Sequence, residues 1–205
     1  MRQLVLNKQT STLALMLLFA FNVQASVGSI GGVLEQSGSV AQIQRNKENI
    51  QAVLNEEIAS MDEVETKNGR LKIKFVDDTL VSLTEHTYMV IDEYVYDPNP
   101  SKSKMALNFV SGTARFATGG LGLVPRENIT IQTPTASIGI RGTDFTTTVD
   151  ELGRSLVILL PDENCTDKVA LEEGCAPSGS ITVTNAGGTQ VLTEAYQAVM
   201  VSTFE

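Results

Sequence analysis

The sequence predicts an all-β protein. Short runs that alternate apolar and polar residues recur along the chain at roughly ten-residue spacing. Turn-forming Gly, Asp, Asn and Pro residues separate them. Only one segment carries helical spacing, and it is short. Such a pattern suits a sandwich, a barrel or a solenoid of short strands.

The elements follow in chain order. Arg2 and Lys8 precede an apolar run, Leu13 to Phe21, and then Asn22-Val23-Gln24-Ala25. This is the layout of a secretory leader over residues 1–25, with cleavage expected after Ala25. The run is short for a bilayer span, which needs about 20 residues. No stable membrane insertion is expected once it is removed, and residues 26–205 are read as one domain. Ile50, Val53, Leu54, Ile58 and Met61 are spaced as on one helix face, with Asn46 as a cap and Glu48 in the first turn. A short helix or an irregular turn is therefore expected over residues 46–60. Leu71-Lys-Ile73-Lys-Phe75 puts three apolar residues on one face and two lysines on the other. Asp77-Asp78 supplies a turn. Val81–Thr84, Tyr88–Ile91 and Met105–Phe109 continue the pattern, with a polar loop over residues 97–104. Ile129–Thr133, Ser137–Ile140, Phe145–Val149, Leu156–Leu160, Ile181–Thr184 and Val199–Val201 complete the strands.

Composition narrows the function. The formal charge is −9. Removing the leader's two positive charges, which no acid offsets, leaves about −11. Such a surface repels phosphate backbones, so a nucleic-acid partner is not expected. There is no Trp and one His, which argues against stacking platforms and His-rich metal sites.

The stretch Ile129 to Thr148, ITIQTPTASIGIRGTDFTTT, is the most specific in the chain. It reads as two strands meeting at a glycine corner. Thr133, Pro134, Thr135, Ala136, Ile138, Gly139, Arg141, Gly142, Thr143 and Phe145 resemble the signature of the FecR domain family. The stretches 61–87, 89–98 and 107–119 are similar to further family segments in the correct order, and Val40–Arg45 to its opening strand, so the resemblance spans about residues 38–150. It implies an extracytoplasmic, solenoid-like β domain used for protein interaction, with a sandwich as the alternative architecture. Over residues 46–60 the family pattern puts a loop and a strand instead of a helix. The signalling members place a sigma-binding segment and a membrane helix before the domain. Here the apolar run follows only seven or eight residues and looks cleavable, so the anti-sigma role is not expected to carry over.

Pro134 lacks an N–H and belongs at a strand edge or start. Gly139 and Gly142 allow close approach or positive φ. Arg141 suits either an anionic partner group or an ion pair with Asp144 or a neighbouring acid. Cys165 and Cys175, the only cysteines, close an 11-residue loop. In an exported chain they suggest a structural disulfide. A redox pair is usually closer, as in C-x-x-C, and zinc needs more ligands. His86 beside Glu85, with Ser82 nearby, raises a catalytic pairing, but no G-x-S-x-G elbow accompanies it. The pairs Asp77-Asp78, Asp92-Glu93, Asp162-Glu163 and Glu172-Glu173 lack calcium-loop spacing and read as solvated turn carboxylates.

No catalytic residue, metal site or cofactor is therefore expected. The reading is a periplasmic or secreted interaction or sensory module whose partner is another envelope protein. The alternative is a structural or polysaccharide-binding part of an envelope or cell-surface assembly.

Overall fold

Alternation of apolar residues shapes the described part of the chain into sixteen strands. The structure is a computed structural model that describes residues 28–162, Cys165 and residues 175–202. The expected leader, residues 1–25, and its cleavage point lie outside the described residues. In order the strands are β1 (Ser29–Gly38), β2 (Gln42–Arg45), β3 (Glu48–Gln51), β4 (Glu57–Ala59), β5 (Glu63–Glu65), β6 (Gly69–Phe75), β7 (Leu80–Leu83), β8 (Tyr88–Val95), β9 (Lys104–Ala117), β10 (Ile129–Gln132), β11 (Ser137–Arg141), β12 (Asp144–Val149), β13 (Ser155–Leu159), β14 (Ser180–Asn185), β15 (Gly188–Leu192) and β16 (Ala198–Val201). Three short 3-10 turns lie between β8 and β10. No helix among the described residues is long and apolar enough to cross a membrane.

The strands form one unclosed sheet with two arms that share β9. One arm runs β16-β13-β12-β9-β7-β6-β1-β4. The other runs β15-β14-β11-β10-β9-β8-β5-β2-β3. Among the described residues only β9 and β10 pair in parallel, and every other pairing is antiparallel. The sharing is written in β9 itself. Met105, Leu107 and Phe109 are buried, and then the parity flips to Ala114 and Phe116. Gly112, at φ +93°, sits at the flip. Residues before it pair with β8 and β10, and residues after it with β7 and β12. A one-residue slip moves every following side chain to the opposite face, so β9 can feed the same core from both arms.

That core is one cluster. Phe75 of β6 stacks on Tyr94 of β8 with ring centroids 4.2 Å apart, which ties the two arms together. Phe116 stacks on Phe145 at 5.0 Å and meets Phe109 edge-on at 6.4 Å. Each fully buried side chain of this size contributes about 1.5–3 kcal/mol. The predicted faces are observed: Leu71, Ile73 and Phe75 are buried, while Lys72 and Lys74 point outward.

Of the short helix or irregular turn expected over residues 46–60, no helix forms; β3, a turn and β4 stand there, closer to the family pattern of a loop and a strand. Asn46 and Lys47 have φ of 52° and 69° and close a hairpin between β2 and β3. Asn tolerates that left-handed region, so Asn46 is a turn residue and no cap. The supposed helical face also splits. Ile58 is buried, whereas Leu54 and Met61 are 61% and 68% exposed.

Two carboxylates in turns are buried: Asp77, contrary to its reading as a solvated group, and Asp62. Asp77 accepts hydrogen bonds from the Thr79 hydroxyl at 2.7 Å, the Leu121 N–H at 2.8 Å and the Tyr94 hydroxyl. It thereby staples the β6–β7 turn to β8 and to residues 119–121. Asp62 is held by both Arg45 Nε and Nη2 at 2.8 Å, and accepts from the Ala59 N–H at 2.8 Å. Asp78, Asp92 and Glu93 are exposed as expected. Glu163, Glu172 and Glu173 lie outside the described residues.

Candidate functional site

The signature residues build a corner between the two arms. Thr133 to Ala136 turn the chain from β10 into β11. The Thr133 hydroxyl accepts from the Ala136 N–H at 3.0 Å and lies 3.1 Å from its carbonyl. Ser155 of β13 donates to Thr133 Oγ1 at 2.7 Å, and Thr135 Oγ1 reaches both Ser155 Oγ, at 2.7 Å, and the Val201 carbonyl, at 3.2 Å. Three hydroxyls therefore lock the β10–β11 turn onto β13 and β16. Pro134 sits in this turn with its ring exposed, where its missing N–H costs nothing. Ala136, Ile138, Ile140 and Phe145 are buried in the core.

The second half of the signature turns β11 into β12. Gly142 has φ +47°, the left-handed region that disfavours a side chain. A Cβ there would meet only the Gly122 carbonyl at 3.5 Å, an ordinary contact, so the requirement is conformational and not one of space. Gly139 needs neither freedom: its backbone is not in the positive-φ region, and a Cβ would lie 3.9 Å from its nearest neighbour. Thr118 Oγ1 accepts from the Thr143 N–H at 2.7 Å and bonds the Thr143 carbonyl at 3.0 Å. Ser178 Oγ accepts from the Asp144 N–H at 2.8 Å and lies 2.9 Å from the Leu160 carbonyl.

The expected partner of Arg141 is taken. Asp144 is gripped by Arg115, through Nε at 2.9 Å and through Nη2. That hydrogen bonding raises the Arg115 pKa above the ordinary arginine value. Arg141 is exposed and makes no ion pair among the described residues.

Cys165 and Cys175 are joined by a disulfide, with Cα atoms 5.4 Å apart. The Asp162 N–H donates to the Ala176 carbonyl at 2.8 Å and closes the base of the loop. The bond pins the connection between β13 and β14.

Among the described residues no hydrogen bond joins His86 to Ser82, the pairing discounted from the sequence. β7 ends at Leu83, and His86 stands exposed in the following turn at φ 57°. Glu85 is paired with Arg70 at 2.9 Å. Its pKa is lowered, first by a backbone hydrogen bond and then by Arg70. Ser82 lines a groove of about 720 Å³ beside Leu34, Val53, Leu54, Arg70 and Lys72. A bulge in β1 between Val33 and Glu35 introduces Leu34 there. No group of three or more metal-ligating side chains is present among the described residues.

Sequence reasoning did not single out Ser155, Thr118 or Ser178. Ser155 was findable, because it is the one polar residue at an inward-facing position of an otherwise apolar strand, SLVIL. Thr118 and Ser178 carry no local signal; they matter because distant loops meet at the corner.

The described residues form an all-β module whose most specific residues organise its own backbone. The model of the FecR protein family matches residues 62–162, and the chain carries a FecR domain. No curated protein matches. Among solved structures, two crystal structures of a candidate anti-sigma factor from Parabacteroides distasonis ATCC 8503 are similar, at 14% identity and TM-scores of 0.44 and 0.45. The alignments cover 67% of this chain and 58% of that one.

Proposed function

We propose that this chain is an exported, non-catalytic interaction or sensory module of the bacterial envelope, which works by binding another envelope protein without a sigma-binding role of its own. The observation that carries the reading is the FecR domain over residues 62–162. The corner supports it, since its hydroxyls and glycine hold backbone and leave no reactive group poised. The Cys165–Cys175 disulfide suits an oxidising compartment, periplasmic or extracellular. Residues 26–205 act as one domain, without cofactor, metal or nucleic acid. The strands stack in solenoid-like fashion: the chain crosses repeatedly between the two arms and adds a strand or hairpin at each pass. The arms end at β4, β16, β3 and β15, whose edges offer backbone donors and acceptors to a partner strand.

Cross-linking in intact cells, followed by purification from the envelope fraction, tests this. One stoichiometric protein partner is the expected result. Sedimentation with wall material and no such partner would overturn it. That outcome would favour the polysaccharide-binding alternative, for which the row across β2, β5, β8, β9 and β10 offers Gln44, Glu63, Asn108 and Gln132 in register, interrupted by Val90 of β8. N-terminal sequencing of exported material is expected to begin at Ser26, and retention of Met1 would overturn the leader reading.

A further inference from the structure

Most outward faces of the molecule are polar. The outward positions of β6 carry Lys72 and Lys74, those of β12 Thr146 and Thr148, and those of β14 Thr182 and Thr184. β13 and β16 break this rule. Behind their inward residues they present Leu156, Ile158, Ala198 and Met200 outward, and register pairs Leu156 with Met200 and Ile158 with Ala198. Met200 is 60% exposed. Strands apolar on both faces ordinarily belong inside a sheet covered on both sides.

β16 is also an edge. Among the described residues it pairs with β13 alone. The Gln197 carbonyl accepts from the Leu159 N–H at 3.0 Å and so faces β13. Alternation along an antiparallel ladder then turns the N–H and C=O of Ala198 and Met200 to the free side. Natural edges are blunted by charge, proline or a bulge, and Ala-Val-Met-Val has none of these. The other edges differ. At β4 the Glu57 carbonyl is occupied by Arg45 at 2.8 Å. β3 is mostly polar, and β15, which also lacks charge, proline and bulge and exposes Val191, presents no side chain at Gly188 and polar ones at Thr189 and Gln190.

We propose that the β16 edge is a self-association site, taken by β16 of a second copy. This rests on the interaction-module reading above and names the occupant of one edge. The strand is self-complementary. A two-fold axis through Val199 sets Ala198 opposite Met200 of the second copy, small against large, and the reverse. Each such pair exchanges two backbone hydrogen bonds, and the β16 arm continues unbroken through both copies. The segment is uncharged, so the negative surface opposes the contact only at its rim. A four-residue contact is short, so the association is expected to be weak and reversible.

Sedimentation equilibrium of the purified exported chain, from about 5 to 500 µM, tests this. A reversible dimer is expected. Met200→Lys, at an exposed side chain, is expected to weaken it at least tenfold with unchanged circular dichroism. Ala198→Pro removes an outward N–H, spares the β13 ladder, and is expected to do the same. Val191→Lys on β15 is expected to leave the dimer intact. A monomer throughout the range overturns the proposal, as does a dimer that survives both β16 variants. If the monomer still captures one stoichiometric envelope protein, self-association fails while the module reading stands; if it captures none, both fail.

Discussion

Replacing Gly142 by valine isolates the demand that the β11–β12 corner makes on the backbone. The residue sits at φ +47°. An L side chain in that region costs about 1–2 kcal/mol, and a β-branched one more, up to ~3 kcal/mol. The space around it is not the cause, since a Cβ would stand 3.5 Å from the Gly122 carbonyl. Relaxing φ would instead drag Thr143, whose N–H is fixed to Thr118 Oγ1 at 2.7 Å. For a domain of this size each kcal/mol lowers Tm by about 2–4 °C. Gly142→Val is thus expected to lower Tm by about 5–10 °C. Gly142→Ala should lose about half of that, and Gly142→Asn, which tolerates the left-handed region, least. Thr130→Val, at a half-buried outward site of β10, is expected to stay within about 0.5 kcal/mol. Thermal melts followed by circular dichroism measure the series. Equal Tm for Gly142→Val and Thr130→Val, or asparagine as costly as valine, would show that φ is not what the corner needs.

Gly179→Ala is expected to be far more damaging than Gly139→Ala, because a Cβ at 179 would fall 1.8 Å from the Gly142 carbonyl while one at 139 is clear to 3.9 Å; denaturant midpoints compare them. Mass mapping of oxidised protein is expected to find no free thiol. Cys175→Ser should admit protease within residues 161–179 while leaving the β core folded, and the entropy of an 11-residue loop puts the stability loss at roughly 3 kcal/mol. Stability should fall at alkaline pH. Hydrogen bonding to Glu63, then burial, push Tyr88 up to about 12, and burial, then the Asp77 bond, push Tyr94 higher still. An unfolded tyrosine ionises near ~10. Their contribution is therefore intact below that pH and is lost as pH rises through about 12 and beyond. Absorbance titration at alkaline pH should show Tyr94 ionising only as the fold is lost; a Tyr94 that titrates early in folded protein would refute the burial argument. Tyr94→Phe keeps the ring on Phe75 but removes a donor from Asp77, at a cost of about 1–3 kcal/mol in chemical denaturation.

Alternation alone marks β6 to β14 and β16 and the side of each that faces inward, but not β1, β3, β4, β5 or β15. Alternation is a local property, and Leu71-Lys-Ile73-Lys-Phe75 or Phe145-Thr-Thr-Thr-Val149 can hide its apolar set in only one way. The sequence also determined the family, through the order of residues from Thr133 to Phe145. Tertiary structure decided what local pattern leaves open. Apolar residues from Ile50 to Met61 fit a helix face as well as a hairpin and a turn, and the left-handed Asn46 and Lys47 with the β2 pairing chose the hairpin. Asp77-Asp78 looks like any turn; only the approach of Tyr94 and Leu121 buries one carboxylate and leaves the other in water. Asp144 lies three residues from Arg141 yet pairs with Arg115, because the β9–β12 register sets Arg115 opposite Thr146, next to Asp144 on the same outward face. Register between strands far apart in sequence is fixed by the packing of the whole sheet, and no window of the chain contains it.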